Sequence, residues 1–357
     1  MSQSSIVVLK LGSSVLPDAT RFPAVVHEIY RHVRMGQRVV AVVSAAGGAT
    51  NRMLADSRTV NDAPEPHALA ELLGLGERES ALLLALALDR AGIPAIRLGP
   101  EACGLVAVGD PLDSDPCAID AAALHAALAE HAVAVVPGFI ALDRQGRSVL
   151  LGRGGSDLSA LFIADALGAD CRLIKDVDGI YERDPAAAAV RPRRFTAISW
   201  ADALGVAGRL VQPKAIAFAA ERRLAFDVAA LGAAHATRVG PGPSTLLASQ
   251  PPGRRLRVAL FGAGTVGYGV YRRLAAHPEH FEVVGVAVRG LDTPRPADLP
   301  RALLTDDPWA LLERPADLVV ELLGGEEPAT ALIARALEAG RDVVTANKPV
   351  VAEHGPL

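Results

Sequence analysis

A chain of 357 residues is too long for one ordinary hydrophobic core, so two domains are expected. A net charge of −4, with 50% of the residues apolar, fits a globular enzyme and argues against nucleic-acid binding, which calls for a strong basic excess. Three scattered cysteines (Cys103, Cys117, Cys171) form neither a disulfide framework nor a metal cluster and point to a reducing, cytoplasmic setting; the longest apolar run, Ala81 to Leu88, is too short to span a bilayer, and no basic leader precedes the first strand.

In chain order, Ile6 to Leu9 reads as a buried strand opening into Lys10-Leu11-Gly12-Ser13-Ser14. A helix from Phe22 to Met35 ends at Gly36, and strand Arg38 to Val43 opens into a second small-residue turn, Ser44 to Asn51. Asp56 to Pro66 reads as an irregular loop, and Ala68 to Gly92 as a helical stretch interrupted by Gly74 and Gly76. Strand Pro94 to Leu98 precedes a Gly/Pro/Asp-rich excursion over the site, Gly99 to Pro116. Helix Asp120 to His131, strand Ala132 to Val136 and a hairpin around Asp143 to Gly146 then lead to Leu151–Pro185. That stretch holds a glycine-rich turn, a helix, a short strand and an acidic turn, the size of one βαβ unit. A helix start at Ile198 to Gly208, a helix at Pro213 to Ala225 and strand Phe226 to Leu231 follow.

The strongest Pro/Gly concentration, Val239 to Gly253, marks the boundary: one domain over 1–248, a linker at 249–254 and a second domain over 255–357. The second unit restarts with strand Leu256 to Phe261, then Gly262-Ala263-Gly264-Thr265-Val266-Gly267 and a helix. Strands Glu282 to Val288, Asp317 to Leu322 and Asp342 to Thr345, with a helix from Pro328 to Ala339, continue the alternation. The fold class is therefore α/β throughout, ending in a doubly wound nucleotide-binding domain.

GxGxxG between a strand and a helix suits a pyrophosphate at the helix N-terminus, against the simpler reading of a structural turn. Roughly twenty residues on, where an acid would meet an NAD ribose, Arg289 stands instead and favours NADP; the alternative is an exposed arginine with Asp292 as a late acid. Gly324, Thr345, Asn347 and Lys348 follow strands at the ligand end of such a sheet, with a surface lysine as the plain alternative for Lys348.

In the first domain four strand-end turns are small and polar: Lys10 to Ser14, Ser44 to Asn51, Gly152 to Asp157 and Lys175 to Gly179. Their convergence at one sheet edge is what phosphoryl transfer needs, since that chemistry is mostly positioning and charge stabilisation. No GxxxxGK[ST] loop is present, which excludes a P-loop kinase. Asp157, Asp176 and Asp178 are the carboxylates suited to Mg²⁺ or to orienting lysines, and Arg153 suits a bidentate carboxylate clamp; Asp176 and Asp178 could equally be turn acids.

Together these turns resemble the amino-acid kinase family, and the aspartokinases within it most closely: VVLKLGSS, VVSAAGGATN, GLGERES, LGRGGSD, KDVDGIYERDP and VQPKAI occur in the family's order over residues 5 to 247. The resemblance implies an α/β/α sandwich and transfer of the ATP γ-phosphoryl group to the β-carboxylate of aspartate with Mg²⁺. It implies that Lys10 and Arg209 stabilise the transferring group and that Asp157 orients them. Ser44, Thr50, Glu77, Arg153, Gly154, Gly155 and Ser156 would bind aspartate. Gly12, Ser13, Ser14, Lys175, Asp176, Asp178, Tyr181 and Arg183 would bind ATP. LKLGSSVL is similar to glutamate 5-kinase, which keeps a glutamate acceptor as an alternative, and Arg209 stands where the family usually has lysine. A non-catalytic nucleotide-binding scaffold is the second alternative.

GAGTVGYGV, ELLGG and VVTANKPVVAEHG resemble the cofactor-binding domain of homoserine dehydrogenase. This implies NADP (or NAD) held by Gly262, Gly264, Thr265, Val266, Gly267, Arg289, Gly324, Thr345 and Asn347, with Lys348 at the active site. The chain stops nine residues after Lys348, so that family's substrate-binding domain is expected to be missing and its oxidoreductase activity incomplete. Aspartokinases carry ACT regulatory domains where this chain has only a short linker, so no lysine or threonine inhibition is expected by that route. No membrane or nucleic-acid partner is expected, and a homo-oligomer is.

Overall fold

The computed structural model describes residues 5–185, 192–208, 210–233, 235–247 and 255–354. Chain contacts divide it into two compact units, Met1–Ala248 and Ser249–Leu357. Among the described residues no helix is long and apolar enough to cross a membrane.

The first unit is built on β1 (Ile6–Leu11), α1 (Phe22–Arg34), β2 (Arg38–Val43), α2 (Ala49–Val60), α3 (Pro66–Arg90), β3 (Ala95–Arg97), α4 (Pro100–Cys103), β4 (Val106–Asp110) and β5 (Asp113–Ala118). It continues with α5 (Ala121–Glu130), β6 (Val133–Pro137), β7 (Ile140–Leu142), β8 (Ser148–Leu150), α6 (Gly155–Leu167), β9 (Asp170–Lys175), β10 (Phe195–Ser199) and α7 (Trp200–Val206). The unit closes with α8 (Pro213–Glu221), β11 (Phe226–Ala230), β12 (Thr237–Gly240) and β13 (Thr245–Leu246). Nine strands form one sheet in the order β13-β10-β12-β11-β9-β1-β2-β6-β3, and a smaller sheet runs β5-β4-β7-β8.

Strand β1 shows why this sheet is a sandwich centre. It is apolar at almost every position, and successive residues serve opposite faces. Val8 packs with α5, α6 and α8 residues such as Leu124, Ile163 and Ile216; Val7, Leu9 and Leu11 pack with Val25, Ile29 and Leu84 of α1 and α3. β1 pairs in parallel with β2 on one side and β9 on the other, so the strand order reverses at β1. The C-terminal ends of β1 and β9 are therefore a topological switch point, where loops diverge and leave a crevice.

Several sequence expectations need correction here. Residues 56–60, read as loop, complete helix α2. Gly74 and Gly76 do not interrupt α3, which is continuous over 25 residues. They are close-approach positions: a Cβ at Gly74 would lie 2.6 Å from Ile140 Cγ2, and one at Gly76 2.7 Å from the Cβ of Ala45. The Gly99 to Pro116 excursion is ordered as α4 and the β4–β5 hairpin of the smaller sheet. Ile198 and Ser199, read as a helix start, end strand β10, and β12 and β13 occupy part of the Pro/Gly-rich stretch assigned to the boundary. The proposed linker, 249–254, lies outside the described residues.

The second unit holds β14 (Leu256–Phe261), α9 (Thr265–Ala275), β15 (Phe281–Ala287), β16 (Leu304–Thr305), α10 (Pro308–Glu313), β17 (Leu318–Glu321), α11 (Ala329–Glu338), β18 (Asp342–Thr345) and α12 (Lys348–His354). Its five strands are all parallel in the order β16-β15-β14-β17-β18, the half-Rossmann arrangement with its switch point between β14 and β17.

Candidate functional site

Asp157 organises the first unit's site. It sits in the first turn of α6, is 3% exposed, and its two oxygens meet two lysines. Lys10 Nζ, from β1, lies 2.8 Å from Oδ1; Lys175 Nζ, from the end of β9, donates to Oδ2 at 2.8 Å and Oδ1 at 3.1 Å. Burial pushes the Asp157 carboxyl up, but the two ammonium charges outweigh it and hold it below the usual carboxylate range. Burial and the Lys10 charge push Lys175 down to about 8, against the opposing pull of Asp157.

Beside this cluster lies a cavity of about 330 Å³ lined by Lys10, Ser13, Ser44, Thr50, Glu77, Phe139, the 152–156 turn and Asp157, among others. All seven residues expected to bind the acid substrate line it. Glu77, on α3, is 3% exposed; its Oε1 accepts the Ala45 N–H at 3.1 Å and its Oε2 has no hydrogen-bond partner among the described residues. Burial pushes its carboxyl up to about 7, partly offset by the Ala45 bond and by the charge of Lys10. An unpartnered buried carboxylate oxygen is costly, and a ligand ammonium group would satisfy it. Arg153 is exposed at the mouth of the same cavity.

A second cavity of about 570 Å³ is walled by Asp176, Val177, Gly179 to Tyr181, Arg183 to Pro185, Gly205 to Gly208 and Leu210. Three of the residues expected to bind ATP, Asp176, Tyr181 and Arg183, line it. Asp178 does not: it accepts the Tyr181 hydroxyl at 2.6 Å and lies 3.8 Å from Arg194 Nε, so it fastens the turn. Ser13 lines the acid-side cavity instead, and Gly12 packs beside Lys10, whose Nζ would lie 2.8 Å from a Cβ there. Ser14 lines neither cavity. Arg209 lies outside the described residues.

Sequence reasoning missed how the glycine turn is fastened. Lys214 Nζ, at the start of α8, reaches Asp113 Oδ1 at 2.7 Å, Asp115 Oδ1 at 3.1 Å, and the Ser114 and Leu151 carbonyls at 3.0 and 3.3 Å. The VQPKAI segment was legible as a motif, but its lysine's partners, on a distant hairpin, were not.

In the second unit a cavity of about 530 Å³ runs along Gly262 to Thr265, Val288 to Gly290, Thr293 to Pro296 and Leu322 to Gly324. The turn needs its glycines for close backbone approach: a Cβ on Gly267 would overlap the Gly262 carbonyl, and one on Gly262 (φ +107°) would lie 2.6 Å from the Leu322 carbonyl. Gly262, Gly264, Thr265, Arg289 and Gly324 line the cavity; Val266 and Gly267 support it from α9. Arg289 is exposed on its wall and donates to the Gly324 carbonyl at 3.3 Å, whereas Asp292 lies outside the lining, 3.7 Å from Arg301 Nη2. Thr345 and Asn347 act from behind. The Thr345 hydroxyl donates to buried Glu321, which also accepts the Leu323 N–H at 2.6 Å. Asn347 Nδ2 donates to the carbonyls of Leu323 and Gly325. Lys348 opens α12, exposed, outside this cavity. Arg295 and Tyr268 also line it, from positions carrying no sequence signal.

The first unit thus sets buried cations at a switch point of an α/β/α sandwich, with one cavity beside them and a larger one next to the end of β9. Residues 5–224 match the family described as "Amino acid kinase family", and the chain belongs to that family. Residues 262–356 match "Homoserine dehydrogenase, NAD binding domain". Among curated relatives, the chain is 30% identical over 242 residues to an aspartate kinase of Pseudomonas putida, covering 67% of this chain and 57% of that one. It is 38% identical over 183 residues to an aspartokinase of Mycobacterium tuberculosis, covering 51% and 44%. The chain thus spans about half the length of these relatives. Among solved structures, the aspartate kinase from Synechocystis is 28% identical with a TM-score of 0.59, covering 67% of this chain and 40% of that one.

Proposed function

We propose that the first unit is an ATP-dependent aspartate kinase. The carrying observation is the acid-side cavity, in which Glu77 turns an unpartnered carboxylate oxygen beside the Lys10–Asp157 pair. The substrate α-ammonium would pair with Glu77, Arg153 would clamp its α-carboxylate, and Ser44 and Thr50 would complete the hydrogen bonding. The β-carboxylate would then face Lys10. It is already a nucleophile, so no protein base is required. ATP would occupy the cavity of Asp176, Tyr181 and Arg183, with Lys10 and Arg209 on the transferring group and Asp157 orienting.

Mg²⁺ suits this site on one side only. Both Asp157 oxygens are taken by lysines and Asp178 by Tyr181 and Arg194; of the two carboxylates on the nucleotide wall, Asp176 and Asp184, Asp176 directly follows β9 and would hold the cation. Bound with the phosphates, Mg²⁺ would supply neutralisation of their charge.

The second unit would bind a nicotinamide dinucleotide with its pyrophosphate over Gly262 to Thr265. Arg289 on the cavity wall, with no acid lining it, supports NADP over NAD. The three cysteines are free thiols, in keeping with a reducing cytoplasm. Self-association would use α3, whose outer face exposes Leu75 (50%), Leu82 (51%) and Leu86 (65%) between Glu71 and Arg90. Antiparallel pairing with a second copy sets Glu71 against Arg90 at both ends and buries the leucines between. Light scattering should show Leu82→Glu shifted towards monomer; an unchanged mass removes this face from consideration.

The kinase assignment is tested by Lys10→Ala and Asp157→Ala, each of which should abolish aspartate-dependent ADP release. A variant turning over at near the native rate refutes it.

A further inference from the structure

The family resemblance places Lys175 among general nucleotide contacts, but its geometry points elsewhere. We propose that Lys175 is a second catalytic cation that grips the transferring phosphoryl group together with Lys10, the two sharing Asp157 at the seam between the acid and nucleotide cavities. The proposal rests on reading the site as a carboxylate kinase.

Strand register brings the two lysines together. In the parallel β1–β9 pair Lys10 stands opposite Leu173, and Lys175 lies two residues further on. Two residues restore the same face of the sheet, so both side chains rise on the side covered by α6, where Val8 and Leu173 also pack. The first turn of α6 carries Asp157 into the space between them.

Charge supplies the second argument. Lys10 and Lys175 are each 7% exposed and Asp157 is 3% exposed, so this triad carries one net positive charge; the buried Glu77 carboxyl of the acid cavity, which holds its proton to about 7, makes no ion pair with it. Both Asp157 oxygens are engaged by the pair, and no other acid pairs with either lysine among the described residues. Removing an excess cation from water is expensive unless an anion arrives to match it. Burial and the charge of Lys10 hold Lys175 below the ordinary lysine range, as expected of a cation awaiting its partner.

Position identifies the anion. Lys10 and Asp157 line the acid cavity and Asp176 lines the nucleotide cavity; Lys175 lines neither, but stands directly behind Asp157 and directly before Asp176 in the chain. A phosphoryl group passing between them must cross this seam. In that step the bond from phosphorus to the β,γ-bridging oxygen breaks and its electron pair leaves with ADP. A bond forms to a carboxylate oxygen of the acceptor, and no proton moves. Charge spread over the three non-bridging oxygens is met by two ammonium groups held by one carboxylate.

The experiment uses the full chain with Lys175→Met and Lys175→Arg, each checked by circular dichroism. kcat is measured with aspartate and MgATP, and calorimetry gives Kd for MgATP and MgADP. Lys175→Met should lower kcat by about 10²-fold or more, leave ADP affinity within about threefold and erase the native preference for ATP over ADP; Lys175→Arg should recover part of the rate. A kcat within about threefold of native, or ADP binding weakened as much as ATP binding, overturns the proposal and leaves the kinase reading standing. If the native chain phosphorylates no carboxylate, the kinase reading falls. The ATP-over-ADP preference then still decides Lys175: lost in Lys175→Met, it supports the lysine as a γ-phosphate contact, and retained, it overturns it. If Lys175→Met does not fold, Lys175→Arg and Lys175→Gln give the same comparison.

Discussion

Replacing Glu77 by Gln should stabilise the free protein while removing its grip on the substrate. In the folded chain the Glu77 carboxyl holds its proton to about 7, against an ordinary value of 4.5. The unfolded chain therefore loses that proton first, and from about pH 4.5 to about pH 7 native stability falls as pH rises, then levels off. A shift of about 2.5 units corresponds to about 3 kcal/mol. With Glu77 only 3% exposed, solvent screening takes little from that figure. Glu77→Gln keeps an oxygen for the Ala45 N–H and carries no charge, so it lacks this pH dependence. Urea denaturation without substrate should show the variant gaining on the native chain by about 3 kcal/mol between about pH 4.5 and about pH 8. In the same variant KM for aspartate should rise at least about tenfold, with kcat changed less, because the lost partner is an ammonium contact remote from the reacting phosphorus. A variant whose stability difference from the native chain is flat across this range would refute the reasoning.

Three further outcomes follow from the same geometry. Arg289→Ala should weaken NADPH binding about tenfold to a hundredfold by fluorescence titration and leave NADH binding unchanged, since only the 2′-phosphate needs the guanidinium. Asn347→Ala frees the Leu323 and Gly325 carbonyls and should cost the second unit about 1–3 kcal/mol on denaturation, with dinucleotide affinity falling in parallel. Glu28, 1% exposed on α1, accepts the Gly232 N–H at 2.8 Å and an Arg31 N–H at 2.9 Å; burial pushes its carboxyl up, but its bonds with His32 and Gly232 and the Arg31 charge bring it down to about 2. Its stabilising contribution is complete above about pH 4.5 and is lost as pH falls towards about 2, so Glu28→Gln should cost about 3 kcal/mol at neutral pH and almost nothing below about pH 2.

The core strands of both units were legible because parallel strands buried on both faces are largely continuous apolar runs, as Arg38–Val43 and Leu256–Phe261 illustrate. What failed was local. Gly74 and Gly76 look like helix breaks in one dimension, but they admit Ile140 and Ala45, contacts set by the packing of distant elements. β10, β12 and β13 escaped because short strands on the far side of the sheet carry Thr, Ser, Arg and Gly rather than apolar runs. In the site, turn motifs brought acid-binding residues to one cavity, but not from one sheet edge: Ser44 and Thr50 follow β2 of the large sheet, Arg153 to Ser156 follow β8 of the smaller one, and Glu77 comes from within α3. The clustering of Lys175 on Asp157 with Lys10 depends on strand register and helix placement, which no motif states. Nor does any pattern reveal that Asp178 is consumed by Tyr181 and Arg194 while its neighbour Asp176 stays on the cavity wall.

The central claim concerns the acceptor, and ³¹P NMR of the native chain with MgATP tests it most directly. Aspartate should produce an acyl-phosphate resonance together with ADP, trapped quantitatively as the hydroxamate by hydroxylamine, and glutamate should not. An acyl phosphate formed from glutamate in preference to aspartate, or ADP released without any acyl phosphate, would contradict the account.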